Sequence, residues 1–210
     1  MANDLIVNDE QAKAVQEGAK LGVKALEVVE AAGGWVSDVL GDVPKNLVGV
    51  LGGDRLRCYR DANLNKAAAK AREYREARGV TDPQPVSLTI AVPLLQAAAE
   101  ESRPELQDLW ARLLANATDP KRNTVRLNFI EAVKRMEPLD ALVLQKVKTG
   151  EQWSPNSRDA FAQTFKVPPD QVEIAFENLT TIGCLVAVPG RGPANPDLTA
   201  FGRELMRALE

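Results

Sequence analysis

The chain of 210 residues contains no histidine. Histidine is the usual general base near neutral pH and, with cysteine, the usual protein ligand of zinc. Its absence excludes every Ser-His or Cys-His catalytic pair. Cysteine is also scarce, because Cys58 and Cys184 are the only two. Two distant thiols do not make a disulfide scaffold, so we expect both to be buried and unpaired in a reducing compartment.

Aromatic residues are few as well, at 5% of the chain against 45% for all hydrophobic residues. The core is therefore built from Leu, Val and Ala, which suits close helix packing. We expect a mainly α fold, with a multi-helix bundle followed by a C-terminal winged-helix-like module that carries a small β element. The expected regions are 1–80 (helical, with a basic helix), 81–137 (central helical core) and 138–210 (winged-helix-like).

Long apolar runs are missing too. No window approaches the roughly 18 apolar residues that a membrane-spanning helix needs, and the N-terminus has an early acid where a signal peptide would be apolar. We therefore expect a cytoplasmic protein. The net charge of −3 argues against a surface that binds polyanions as a whole, although a local basic face remains compatible with it.

The first 53 residues are rich in Gly and Ala. Helical apolar spacing predicts amphipathic helices over 9–32 and 35–51, with a break at Gly33 and Gly34. One interpretation is a helical hairpin that packs against the core. The other is a segment that inserts at a membrane interface, as a growth-arresting toxin would. We favour the hairpin because the second helix has mixed charge.

The segment 54–78 is the most basic part of the chain, with eight cations and four carboxylates, a net charge of about +4. Its apolar spacing predicts a helix from Asn65 to Arg78, ended by Gly79. The cations form a candidate patch for a polyanion or an acidic partner: Arg55, Arg57, Arg60, Lys66, Lys70, Arg72, Arg75 and Arg78. The alternative, which we favour, is a solvated helix face with ion pairs four residues apart.

The stretch from Ser102 to Asp119 has the clearest helical pattern. An apolar stripe at three-and-four spacing predicts a core helix, formed by Leu106, Leu109, Trp110, Leu113, Leu114 and Ala117. The start of the helix is predicted to be a capping box, in which Ser102 accepts from the Glu105 N–H and Glu105 reaches back to Ser102. Pro104 is tolerated in the first turn.

This part of the chain, from Val86 to Leu144, resembles the Abi-alpha (abortive infection alpha) family. The resemblance lies in four runs: Pro93–Ala98, Leu106–Ala117, Asn128–Ile130 and Met136–Ala141. The family-like core positions are Leu106, Leu109, Trp110, Leu113, Leu114 and Asn116, and Glu105 and Asp119 are family-like polar positions. The resemblance implies a role in defence against phage, and the family carries no agreed catalytic site.

The last third of the chain resembles a winged helix. Its apolar spacing predicts helices over 139–147, 157–165 and 169–181, followed by a strand over 184–188. A loop and a closing helix with a Leu-Thr-x-x-Gly-x-x-Leu pattern complete the module. We expect Val172, Ile174, Phe176 and Leu179 to be the apolar residues of the third helix. The outward residues of this would-be recognition helix include three carboxylates and no cation: Asp170, Gln171, Glu173, Glu177, Asn178 and Thr181. Carboxylates repel phosphates, so DNA binding through this module is disfavoured.

Catalysis is not expected. Glu100, Glu101, Glu105 and Asp108 gather near the start of the central helix, where the helix dipole alone favours acids, and their spacing matches no metal site. The glycines before Asp54 lack the Gly-Lys-Ser/Thr ending of a phosphate loop. We therefore expect no metal and no cofactor.

The sequence thus predicts a non-enzymatic antiphage protein that acts through protein contacts or self-association. Two alternatives stay open. One is a transcriptional regulator that binds DNA through the winged helix, aided by the basic helix. The other is a membrane-active toxin whose N-terminal region inserts.

Overall fold

The computed structural model describes residues 54–122, 124–148, 157–187 and 196–210. The predicted N-terminal helices over 9–32 and 35–51 lie outside these residues, as do the side chains of Arg55, Arg57 and Cys58. The described part of the chain contains eight helices and one small two-stranded sheet, which confirms the mainly α fold.

The helices are numbered here in chain order. They are α1 (Asp54–Ala77), α2 (Leu88–Glu100), α3 (Pro104–Ala117), α4 (Leu127–Lys134), α5 (Pro138–Lys148), α6 (Ser157–Phe165), α7 (Pro169–Thr181) and α8 (Ala200–Ala208). The strands are β1 (Leu185–Val186) and β2 (Asp197–Leu198), which lie between α7 and α8. They pair antiparallel, with Leu185 opposite Leu198.

Helix α3 is the centre of the bundle. It contacts α1 along much of its length and also packs on α2, α4, α5 and α8. The six family-like core positions are all buried, and Trp110 is only 1% exposed. Full burial of such large apolar side chains contributes about 1.5–3 kcal/mol each, so this stripe is a major source of stability.

The predicted capping box at the start of α3 is wrong. Arg103, one residue later than Ser102, is the N-cap, and its side chain makes no capping hydrogen bond. Pro104 fixes the first helical position, which places Ser102 too early to reach the helix. The Glu101 carboxylate accepts from the N–H groups of Ser102 (3.0 Å) and Arg103 (2.9 Å) instead.

Two helices end at glycines, as predicted. Gly79 follows α1 with φ +71°, and the Val80 N–H donates to the Arg75 carbonyl. Gly183 follows α7 with φ +87°, and the Cys184 N–H donates to the Leu179 carbonyl. Glycine adopts this left-handed conformation without the steric cost that a Cβ adds. The turn that results lets the following N–H groups hydrogen-bond to the last carbonyls of each helix.

The C-terminal part forms a second cluster around α7. Phe161 of α6 lies 5.8 Å from Phe176 and 5.9 Å from Phe165 between ring centroids. The Thr199 hydroxyl caps α8 by accepting from the Gly202 N–H (2.8 Å). The order of three helices, a strand and a closing helix follows the prediction, whereas β2 was not predicted. The winged-helix assignment itself stays a prediction.

Helix α8 joins this cluster to the centre of the bundle. The Asn116 side-chain amide donates to the Ala208 carbonyl (2.6 Å), and the Phe129 and Phe201 rings lie 5.5 Å apart between centroids. The end of the described chain is therefore held against α3 and α4.

Candidate functional site

An open groove lies between the start of α5 and one face of α7. Its volume is about 650 Å³. Polar and apolar side chains line it together: Arg135, Glu137, Leu139, Asp140, Gln171, Ile174, Ala175, Glu177, Asn178 and Thr181. Because the groove opens on the surface of the would-be recognition helix, we treat it as the candidate site.

Asp140 anchors the floor of this groove. It is only 3% exposed, and its Oδ2 atom accepts from the Glu137 N–H (2.8 Å) and from the Asn178 side-chain amide (2.5 Å). The same amide also donates to the Arg135 carbonyl (3.1 Å). These bonds cap α5 and tie it to α7. Burial raises the pKa of Asp140, and the two donated hydrogen bonds offset only part of that effect.

Ile174 was predicted to be one of the inward apolar residues of α7, and this prediction is wrong. It is 64% exposed, whereas Val172, Phe176 and Leu179 are buried as expected. The helical stripe of α7 runs through Val172, Ala175, Phe176 and Leu179, at three-and-four spacing, and Ile174 falls outside it. Strict use of that spacing would have identified Ile174 as an exposed aliphatic residue.

The outward face of α7 is acidic, as predicted. Asp170 and Glu177 are exposed and form no ion pair in the described ranges, while Glu173 pairs with Arg158 at 2.9 Å. Asp170, Ile174, Glu177 and Thr181 lie on one stripe of the helix, at steps of three and four residues. This face therefore combines an aliphatic residue with uncompensated negative charge.

The basic segment of α1 is divided by the fold. Arg60 pairs with Glu100 of α2 (3.4 Å), Lys70 lies 3.6 Å from Asp108 of α3, and Arg75 is buried. Arg78 donates to Asn116 Oδ1 (3.0 Å). The exposed cations with described side chains are Lys66 and Arg72, which share the surface of α1 with Glu73 and Glu76. The structure thus does not gather the six cations with described side chains on one exposed face.

Arg78 lies just after the end of α1, near charges of both signs. Burial lowers its pKa, and the nearby charge of Arg122 lowers it further. Its Nη2 atom is buried and has no hydrogen-bond partner among the described residues. Arg78 is therefore held by Asn116 in a position that its own charge disfavours.

Asp108 is the centre of a polar cluster between α1 and α3. It accepts from the Tyr74 hydroxyl and from Arg112 Nε (2.8 Å), and the Arg112 guanidinium lies 4.4 Å from the Tyr74 ring centroid. Burial alone would raise the pKa of Asp108, but the hydrogen bonds from Arg112 and Tyr74 outweigh it and lower that pKa. The cluster fixes α1 on α3.

Asn116 is the polar member of the family-like positions, and it is fully buried. It accepts from Arg78, the residue after α1, and donates to the end of α8, so one side chain of α3 connects the ends of two other helices. The other polar positions are placed differently. Glu105 lies in the first turn of α3, and buried Asp119 accepts from the Lys121 N–H (2.8 Å) in the turn after it.

Cys184 is buried and unpaired, as predicted. Burial raises the pKa of its thiol to about 12, so the thiolate is disfavoured. The described ranges contain no group of three or more Cys, Asp or Glu side chains that could hold a metal ion. Among the helices described, none is both long enough and apolar enough to cross a membrane.

Comparison with protein families gives a match that covers most of the chain. Residues 60–209, more than two thirds of the chain, match the family described as abortive infection alpha. The match extends beyond the central stretch noted in the sequence and runs from Arg60, in the second turn of α1, through α8. Searches of curated proteins and of solved structures found no match.

Proposed function

The chain belongs to the abortive infection alpha family, and from this premise we propose that it acts in antiphage defence as a non-enzymatic protein. In this proposal it works in the cytoplasm, through contacts with another protein or with further copies of itself. Its output is then a change in what it binds, and no bond of a substrate is made or broken.

The groove between α5 and α7 carries this proposal. It places Ile174, 64% exposed, beside Leu139 and Ala175, with polar side chains around them. An apolar patch with a polar rim inside a concave surface is typical of protein recognition. Ile174 is the natural anchor because a partner that covers it would remove its apolar surface from water.

A phage challenge tests the proposal. A susceptible host would express the wild-type chain, an empty vector, Ile174→Glu, or Leu127→Glu. Leu127 is the matched control because it is also an exposed aliphatic residue (43%) but lies at the start of α4, outside the groove. Circular dichroism and thermal melts would verify that both variants fold.

We expect the wild type and Leu127→Glu to reduce plaque counts and to protect cultures at low phage dose, with culture collapse at high dose. Ile174→Glu should lose this protection. Unchanged plaque counts for the wild type across a broad phage panel would contradict the antiphage role. Full protection by Ile174→Glu would contradict the role of the groove.

A further inference from the structure

Asp140 is a buried carboxylate that lacks a positive partner. Both of its hydrogen bonds go to Oδ2, and across the described ranges no Lys or Arg forms an ion pair with it. A buried charge is costly unless an opposite charge compensates it. Because Asp140 lines the open groove, a cation that enters from outside could supply that compensation.

The rim of the groove favours the same kind of ligand. Glu177 is exposed and outside the ion pairs of the described chain, and Asp170 follows the same helix stripe. Arg135 is the one cation among the lining residues, and Glu137 already pairs with Arg103 (2.5 Å). The groove therefore presents more negative than positive charge.

The apolar part of the groove shows that a simple cation would not fill it. Ile174 is exposed and Leu139 is partly buried, and both line the groove together with the Ala175 side chain. Only a ligand with an aliphatic group next to its positive charge would satisfy both parts of the surface. A protein segment that carries Lys or Arg beside Leu, Ile or Val has this chemistry.

We propose that the groove between α5 and α7 binds a basic segment of a partner protein, with a Lys or Arg side chain directed toward Asp140 and an aliphatic side chain packed on Ile174. This inference rests on the proposed function and names the partner class of the same site. Nucleic acid does not fit, because Glu177 and Asp170 would repel its phosphates. The described face of α1 in a second copy fits poorly, because its exposed cations Lys66 and Arg72 are matched in number by the exposed carboxylates Glu73 and Glu76.

A randomised short-peptide library, selected in vitro on the immobilised full chain, tests this chemistry without infection. We expect the enriched peptides to carry a net positive charge and at least one aliphatic residue. Their affinity, measured by fluorescence anisotropy, should fall as salt rises, because salt screens exposed charges over a distance of about 10 Å at 0.1 M.

Two charge-reversal variants give the decisive comparison. Glu177→Lys should weaken the selected peptides by about tenfold or more, since it places a like charge against them. Glu73→Lys makes the same charge change on exposed α1 and should leave the affinity within about twofold of the wild type. Ile174→Ser removes the aliphatic contact without a change of charge and should also weaken the peptides, which separates that contact from the electrostatic part of the affinity.

The inference would be overturned if no peptide were enriched, if the enriched peptides were neutral or acidic, or if they bound Glu177→Lys as tightly as the wild type. These results are independent of the phage challenge. If the chain protected against phage but selected no basic peptides, the inference would be rejected and the antiphage role would stand. Basic peptides that bind the groove in a chain that gives no protection would support the partner chemistry and reject the antiphage role.

Discussion

Asp108 and Asp140 both accept two side-chain or backbone hydrogen bonds, yet their pKa values shift in opposite directions. Asp108 faces the cations Arg112 and Lys70, which together with its hydrogen bonds overcome the effect of burial. Asp140 is buried more deeply and receives only neutral donors, so burial prevails and raises its pKa. At the residue scale, the sign of the neighbouring charge therefore decides what each carboxylate contributes to stability.

This contrast predicts opposite pH dependences for Asp108→Asn and Asp140→Asn. A lowered folded pKa means that Asp108 stabilises the fold above its unfolded value of 3.8 and loses this effect as the pH falls through the folded pKa. A raised folded pKa means that Asp140 contributes most below 3.8 and loses this effect as the pH rises through the folded pKa.

Urea unfolding followed by circular dichroism, from neutral pH to below 3.8, measures both effects. At neutral pH, Asp108→Asn should lower the free energy of unfolding by about 1.5–3 kcal/mol, the usual contribution of a hydrogen bond to a charged group. Its deficit relative to the wild type should shrink as the pH falls. Over the same fall in pH, the free energy of unfolding of the wild type should rise relative to that of Asp140→Asn. The prediction would be contradicted if the differences between the wild type and the two variants did not change with pH.

Asn116→Ala tests the polar residue that connects α1, α3 and α8. Its removal leaves Arg78 Nη1 and the buried Ala208 carbonyl without their partner, and each unsatisfied buried group is costly. We expect the free energy of unfolding to fall by about 2–3 kcal/mol. Asn128→Ala, at an exposed position of α4, is the control and should change it by less than about 0.5 kcal/mol. Equal effects of the two variants would show that Asn116 is not a structural link.

At the scale of elements, the packing of α8 depends on a single glycine. A Cβ at Gly202 would overlap the Cys184 carbonyl oxygen and would lie 3.1 Å from Leu198 Cδ2. That carbonyl also accepts from the Thr199 N–H (3.0 Å), so it is fixed in place. The glycine of the Leu-Thr-x-x-Gly-x-x-Leu pattern is therefore required by the close approach of α8 to the chain before β1.

Gly202→Ala should destabilise the protein although it improves helix propensity. Alanine gains about 1 kcal/mol over glycine inside a helix, but the overlap with Cys184 forces α8 away, and we expect a net loss of at least about 2 kcal/mol. The control is Ala200→Gly, at an exposed position of the same helix, which should cost about 1 kcal/mol or less. The urea midpoint measures both, and a more stable Gly202→Ala variant would contradict the close approach.

Most elements could be predicted from sequence because local signals determine them. The bounds of α6 and α7 agree with the prediction, and α5 differs from it by one residue at each end. Helix α1 is longer than predicted because its first turns, from Asp54, have weak apolar spacing. Strand β2 was not predicted, because two residues that pair with β1 across a loop leave no periodic pattern.

The candidate site was less predictable than the fold. The central stripe of α3 is set by helical spacing, so its burial followed from the sequence. The groove depends on how α5 meets α7, and no local pattern encodes that contact. Asp140 illustrates the difference, because its carboxylate lies between Glu137, three residues away, and Asn178, which is distant in sequence.

For the whole molecule, the arrangement of charge matters more than the net charge of −3. Three cations of the basic segment, Arg60, Lys70 and Arg78, are engaged by Glu100, Asp108 and Asn116 of the neighbouring helices. The carboxylates of α7 remain on the surface. A protein with this distribution should attract basic partners at α7 and should repel the phosphates of nucleic acid there.

This distribution predicts weak binding to duplex DNA, which distinguishes the proposal from the alternative of a transcriptional regulator. Phosphate contacts by Lys and Arg dominate DNA affinity and make it fall steeply with salt. In an electrophoretic mobility assay at low salt, the wild type should cause no shift. The double variant Asp170→Lys/Glu177→Lys should gain salt-dependent binding, because it turns the α7 stripe basic while both side chains remain exposed. A steeply salt-dependent shift by the wild type would contradict the proposal, and testing Lys66→Ala/Arg72→Ala would then show whether the exposed cations of α1 cause it.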